Sequence, residues 1–255
     1  HSMKDMGAGL RFDPEWRITL FTLVMVPTMI GLGFWQLERA EEKRSLGAAW
    51  ERQQAQPAGS LWTLRGQAAA ALAYRPVTAT GEFRESEYLL LDNRLHQGRF
   101  GYEVLGILDL DGGGRSVVVN RGWIAGDPAR RELPEVPHPS GRQTVVGHLY
   151  IPPGDPYLLL EQQLGQGWPT VLQAVEIEQI VPAIGDGDVF PQVLRLDRES
   201  PAALTVDWKV VNVRPEKHTG YAVQWFAMAA VLAFFYLLRS SNLWQLLSRR
   251  RARGR

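Results

Sequence analysis

The stretch ITLFTLVMVPTMIGLGFWQL, residues 18–37, holds twenty residues without a single charge, and TGYAVQWFAMAAVLAFFYLL, residues 219–238, is its counterpart near the other end. At about 1.5 Å rise per residue, each window reaches roughly 30 Å as a helix, the thickness of a bilayer's hydrocarbon core. No other window in the chain combines that length with that hydropathy. Core helices of soluble proteins are shorter and keep a polar face, so both windows read as membrane spans. The first is not a cleaved signal peptide. Its apolar stretch is too long and runs into Trp35-Gln36-Leu37 and a charged helix, without a small-x-small cleavage site. Pro27 in mid-span predicts a kink, with Thr22 and Thr28 placed to compensate for the lost hydrogen bond.

The two windows also explain the charge. The 255-residue chain carries a formal net charge of +1, which is an average over unlike parts. Residues 1–17 sum to zero, residues 18–238 carry 19 Lys+Arg against 24 Asp+Glu, and residues 239–255 carry six arginines and no acid. Arginines beside a span stay on the cytoplasmic side. Arg239, Arg249, Arg250, Arg251, Arg253 and Arg255 therefore place the C-terminus there, and Lys4, Arg11 and Arg17 fit the same side. Next to a span, the basic tail argues for membrane topology rather than nucleic-acid binding. His1-Ser2-Met3 reads as a cloning scar. The expected organisation is a cytoplasmic N-terminus (1–17), a first span (18–37), one extracytoplasmic domain (38–218), a second span (219–238) and a basic cytoplasmic tail (239–255).

With 45% hydrophobic residues and no cysteine, the composition excludes a disordered chain and a disulfide scaffold. It equally excludes thiolate zinc sites, thioredoxin-type motifs, covalent c-type haem and cysteine-based copper carriage. Residues 38–54 have helix-forming composition and opposite charges at helical spacing, so the first span is expected to continue as a helix into water. Leu61–Ala71 reads as a second short helix and Glu176–Ile184 as another. PVTATGEF, EYLLLDNR, RFGYEVLGIL, RSVVVNRGW and QTVVGHLYI from residue 76 onward have strand texture, as do VFPQVLRLD and DWKVVNV further on. Gly112-Gly113-Gly114 predicts a hairpin turn between two of them. Asp127–Gly141, with four prolines, predicts a surface loop. The fold class expected is membrane α+β: two transmembrane helices flanking an antiparallel β-rich extracytoplasmic domain, a barrel or a sandwich, with one or two helices.

Catalytic motifs are absent: there is no GxSxG elbow, HExxH helix, Walker loop or Rossmann fingerprint. His96, His138 and His148 occur singly and read as surface or structural histidines. Asp92-Asn93-Arg94 and Asn120-Arg121-Gly122-Trp123 fall at the ends of expected strands. Their plain reading is a network bracing the sheet; the sharper one is an electropositive shelf of Arg94, Arg99 and Arg121 that receives a carboxylate or a partner protein.

The densest constellation lies at the mouth of the second span. Taking 100° per residue, His218, Tyr221 and Trp225 project to one side over two turns, with Ala222 and Ala229 beside them. Trp35 and Gln36 of the first span lie at the same depth, and Gly31 and Gly33 allow close approach. One reading is an aromatic belt with an interfacial histidine, which anchors depth and binds nothing. The other is a haem site, with the His218 imidazole as axial ligand to the iron, aromatic walls, and Arg214, Lys217 or Arg39 for propionates.

Three ordered motifs bear on this choice: Gly33-Phe34-Trp35-Gln36-Leu37-Glu38-Arg39 with Lys43 one turn on, Val119-Asn120-Arg121-Gly122-Trp123, and His218-x-x-Tyr221-Ala222-x-x-Trp225-Phe226. Together with the two-span layout, they make the chain similar to the Surfeit locus protein one family, membrane assembly factors for haem-copper cytochrome oxidases, bacterial type. The resemblance covers nearly the whole chain. It implies a non-enzymatic role in maturing cytochrome c oxidase subunit I, with haem a as the bound cofactor, and His218 and Trp225 at the family positions associated with haem. The expected partners are subunit I, haem a synthase and the lipid bilayer, with no nucleic acid. The expected location is the bacterial inner membrane, with both termini cytoplasmic and the main domain periplasmic. The alternative is a membrane-anchored scaffold that binds an oxidase subunit without carrying haem.

This topology makes a direct prediction. Reporter fusions at Leu10 and at Lys209 should report opposite sides of the membrane; the same side for both would overturn it.

Overall fold

The computed structural model describes residues 10–152, 164–208, 214–242 and 244. The chain order is α1 (Trp16–Gln54), β1 (Gly59–Ser60), a 3₁₀ turn (Leu61–Leu64), α2 (Ala69–Leu72), β2 (Pro76–His96), β3 (Arg99–Leu110), β4 (Arg115–Ala125), β5 (Arg142–Tyr150), β6 (Thr170–Leu172), α3 (Ile177–Ile184), β7 (Asp188–Val189), β8 (Val193–Leu196) and α4 (Pro215–Ser240). Two compact bodies emerge: His1–Ala48 with Val211–Arg255, and Ala49–Val210. The strand expected over residues 207–213 lies outside the described residues beyond Trp208. So do Lys4 and the arginines at 249–255.

The first body is a pair of long helices. α1 runs through the first apolar window and on to Gln54, as the helix-forming charges after Leu37 suggested. It does not stop at Pro27, although that residue has no N–H for the Leu23 carbonyl. The Thr22 and Thr28 hydroxyls donate to the carbonyls of Ile18 and Val24, so neither serves the one Pro27 leaves open. Only 11% of each helix's most apolar window is buried, with Phe21, Leu23, Val24, Val231 and Phe235 all more than half exposed. Exposed apolar surface of that extent fits a lipid environment, and the two helices are long and apolar enough to cross a membrane.

The second body is a sheet with short helices. Its sheet is mixed, not antiparallel as the strand texture implied. β2–β3, β3–β4, β2–β5 and β5–β8 are antiparallel, whereas β1–β2, β2–β6, β4–β7 and β4–β8 are parallel. The alternation of side chains is the same in both directions, and a parallel partner needs only a long enough connection. Five strands pair in a closed circuit, β2–β3–β4–β8–β5 and back to β2, which is the barrel alternative of the two expected. One face of this circuit holds Val77, Ala79, Leu108, Val117, Val119, Val145 and Leu194, sealed by Leu61, Leu64 and Leu72 of the 3₁₀ turn and α2. The other face carries Leu105, Ile107, Val118 and Val193 under Ile180 and Ile184 of α3. Burial on both faces is why these strands read as unbroken apolar runs. The single helix expected over residues 61–71 is two short turns, separated at Gly66 (φ +82°).

PVTATGEF and EYLLLDNR form one strand, β2, bent by two irregularities. At the first, Arg84 donates to both Asp109 oxygens (2.9 and 3.1 Å), to Glu87 (2.9 Å) and to the Ile184 carbonyl (2.7 Å). At the second, one extra residue bulges at Asp92-Asn93, with Asn93 at φ +59°. A matching bulge in β4 sits at Arg121-Gly122. Gly122 is at φ +109°, and a Cβ there would lie 2.5 Å from the Thr205 carbonyl oxygen, so only glycine fits.

The two polar motifs therefore brace bulges, the plain reading of their residues. Asn120 donates to Glu103 (2.8 Å) and accepts from the Gly122 N–H (3.1 Å). Arg121 is buried, donates to the Ala202 carbonyl (2.8 Å), and is pushed down to about 10 by desolvation. It cannot belong to an exposed shelf with Arg94 and Arg99. Asp92 accepts from Arg130 (2.5 Å), Gln173 (3.1 Å) and its neighbour's N–H (2.6 Å). Desolvation, the largest single influence on Asp92, works to raise its pKa; the donors together outweigh it and hold the carboxyl below its ordinary value.

A group with a depressed folded-state pKa stabilises above its unfolded value and loses that contribution as pH falls through the folded value. Asp92→Ala should therefore cost about 1–3 kcal/mol at pH 7. Its deficit relative to wild type should shrink as the wild-type carboxylate is protonated below the ordinary carboxylate pKa of about 3.9. Thermal unfolding from pH 7 downward checks this; a deficit independent of pH would contradict it.

Candidate functional site on the helix pair

The helix pair is built on small residues. On α1 the buried positions are Thr22, Gly33 and Ala40; on α4 they are Pro215, Ala222, Ala229 and Ser240. A Cβ on Gly33 would lie 2.6 Å from the Phe226 ring, so this glycine admits a ring between the helices. Phe34 meets the same ring edge-on, with centroids 5.3 Å apart. Gly31, the other glycine expected at the contact, faces open space. Ala222 and Ala229 are buried in the same packing. At the far end, Phe12 pairs with Ser241, the Asp13 N–H donates to the Ser240 carbonyl (2.7 Å), and the Thr19 and Tyr236 hydroxyls meet at 2.9 Å. The start of α1 and the end of α4 therefore lie level, and the helices run antiparallel.

At the opposite end the His218 imidazole Nδ1 lies 2.8 Å from Gln36 Oε1. The amide oxygen can only accept, so Nδ1 carries a proton, and the neutral form of this ring has its lone pair on Nε2. A cavity of about 580 Å³ opens beside it, lined by Gln36, Lys43, Arg214, Lys217, His218 and Tyr221. It therefore presents one imidazole, one phenol and three cations. Among the described residues no carboxylate lines it. Such a lining suits a planar, metal-bearing anion: nitrogen for the metal, cations for peripheral carboxylates. The Arg44 guanidinium donates to the Thr219 hydroxyl (3.2 Å) and ties the two helices at the same level.

Of the six residues singled out in the sequence, Gln36, His218 and Tyr221 converge on this cavity. Trp225 is half-buried on α4 and does not line it; Trp35 is 47% exposed. Arg39 stacks over the Trp35 ring (5.7 Å) and pairs with Glu42 (2.8 Å), an exposed pair already occupied with its own helix. Lys43 was legible but unranked: Gln36, Ala40 and Lys43 stand at i, i+4 and i+7, one face of one helix. Among the described residues, no three His, Cys, Asp or Glu side chains cluster to hold a metal ion. His148 and His96 sit singly, 3.7 Å from Asp197 and Asp207.

The SURF1 family model matches residues 23–230. A SURF1-like protein of Rickettsia felis is 25% identical, the match covering 89% of this chain and 98% of that protein. A SURF1-like protein of Dictyostelium discoideum is 32% identical over 38% of this chain and 39% of its own length.

The Gln36 contact makes a prediction that needs no ligand. In ¹⁵N-histidine-labelled protein at basic pH, the His218 signals, assigned by their loss in His218→Asn, should show the tautomer protonated at Nδ1. Gln36→Leu should restore a mixture of tautomers.

Proposed function

The chain belongs to the SURF1 family, a family of cytochrome oxidase assembly factors rather than of catalysts, and on that premise we propose that it carries haem a between its two apolar helices and assists its insertion into oxidase subunit I. The observation that supports this reading most is the hydrogen bond from His218 Nδ1 to Gln36, because an imidazole held by Nδ1 offers Nε2 to a metal. His218 is then the axial ligand to the haem iron. Lys43, Arg214 and Lys217 face the propionates, with Arg39 further along α1 as an outer contact. Tyr221 borders the macrocycle from the cavity wall, and Trp225 and Trp35 supply apolar surface on the two helices. Haem is cargo here, so the site needs only to hold it and release it.

The topology in this proposal places both termini in the cytoplasm and residues 38–218 in the periplasm of a bacterial inner membrane. The level pairing of Phe12 with Ser241 supports a common side for the two helix ends. The partners are subunit I as acceptor and haem a synthase as donor.

Protein purified from cells that make haem a should yield a haem a pyridine haemochrome. His218→Ala should abolish or shift its Soret band, and Gln36→Leu should reduce haem content severalfold. Copurification with subunit I that survives His218→Ala, with no haem in the wild type, would instead establish the scaffold reading.

A further inference from the structure

The sheet body has a cleft of its own, lined by residues of that body alone among the described residues. On the face covered by α3, β4, β8 and β5 change character at one level, where Asn120, Arg195 and His148 are register neighbours, and β3 does so one step further on. Beyond Leu105 and Ile107, β3 continues to Glu103; beyond Val118, β4 continues to Asn120; beyond Val193, β8 reaches Arg195; beyond Tyr150, β5 reaches His148. Each step is two residues, so these side chains stay on the same face of the sheet. Where α3 no longer covers it, this face borders a cleft of about 820 Å³, the size of a small-molecule site.

Arg195 is the centre of the cleft. Its guanidinium carbon lies 3.7 Å from the centroid of the Tyr150 ring and 4.8 Å from that of Trp208, so the planar group is held between two aromatic faces. Trp208 is in turn anchored by its indole N–H to the Leu196 carbonyl (2.7 Å). Among the described residues, no acceptor or carboxylate pairs with the guanidinium of Arg195, nor with that of Arg94 on the same cleft wall. Desolvation and the neighbouring Arg94 both disfavour the Arg195 charge, while Glu103 favours it. Two like charges thus converge on a cleft with their hydrogen-bond donors open. The acids there are engaged: Glu103 accepts from Asn120, and Asp207 sits 3.7 Å from the His96 ring.

We infer that this cleft binds a carboxylate carried on an apolar body, with the Arg195 fork as its bidentate partner and Arg94 as a second donor. A carboxylate matches a stacked, pre-oriented guanidinium in plane and geometry. A phosphate dianion does not suit a cleft that also contains Glu103 and Asp207. The apolar body packs on Leu95, Leu149, Ile151 and Trp123, which line the remaining wall. The carboxylate is that of a small organic acid or that of a polypeptide's C-terminus; the chemistry of recognition is the same.

The test is calorimetric titration of the full chain in nanodiscs with N-acetyltryptophan, with a Gly-Gly-Trp tripeptide, and with the C-terminal amide of each. Both carboxylates should bind saturably, and the amides about tenfold or more weaker. Arg195→Gln and the exposed Arg94→Gln should each weaken carboxylate binding by a similar factor, with Arg198→Gln, outside the cleft, unchanged. Tighter binding of the tripeptide assigns the polypeptide source, and tighter binding of N-acetyltryptophan the small acid. Absence of saturable binding, equal affinity for acid and amide, or wild-type affinity in folded Arg94→Gln protein overturns the proposal.

Discussion

The double pairing of β2 is the constraint on which the sheet body depends. This one strand of 21 residues gives its first half to β5 and its second half to β6 along one edge, while β3 follows it along the other. With the short β1 it has four partners, which a flat strand of that length cannot serve, because a closed circuit needs its strands to bend and coil. The two irregularities supply the bend. Arg84 spans one of them with four side-chain hydrogen bonds, and Asp92 gathers three donors at the other. Charged residues inside a β-strand would ordinarily be a fault in the pattern; here they stand where backbone groups lose their partners.

The same bulges orient what the sheet displays. The extra residue at Arg121-Gly122 turns the Arg121 side chain inward over Phe83 and leaves Trp123 paired with Thr205 at the cleft wall. Polar side chains then appear on a face that is apolar two residues earlier on β3, β4, β5 and β8. In the helix body the equivalent role falls to glycine and alanine. Gly33, Ala40, Ala222 and Ala229 let the helices approach, and that approach brings a glutamine on one helix within hydrogen-bond distance of a histidine on the other.

Most of the architecture was legible because it rests on local chemistry. Uncharged windows of twenty residues, charges at helical spacing after Leu37, three glycines with positive φ between β3 and β4, and the proline-rich loop each declare themselves within a few residues. The errors have one origin. Strand direction, the union of two expected strands into β2, and the short strands β1 and β6 depend on which segment arrives alongside, and alternation carries no record of the partner. The arrangement at the mouth of the second apolar helix was half legible: His218 and Tyr221 share a helix face by periodicity alone, and Gln36 was placed at their depth.

What the amino-acid order determined by itself is therefore the pair of apolar helices, the β-rich body between them in the chain, the family, and the face of α4 that carries His218. Length, charge and helical period are properties of a segment, and a segment carries them wherever it lies. Only the tertiary structure decided that Gln36 holds Nδ1, that Lys43 enters the cavity while Trp35 and Trp225 do not, that Arg121 is buried, and that Arg195 stands between Tyr150 and Trp208. Each of these is a contact between residues far apart in the chain, set by helix approach and strand register at the scale of a single hydrogen bond.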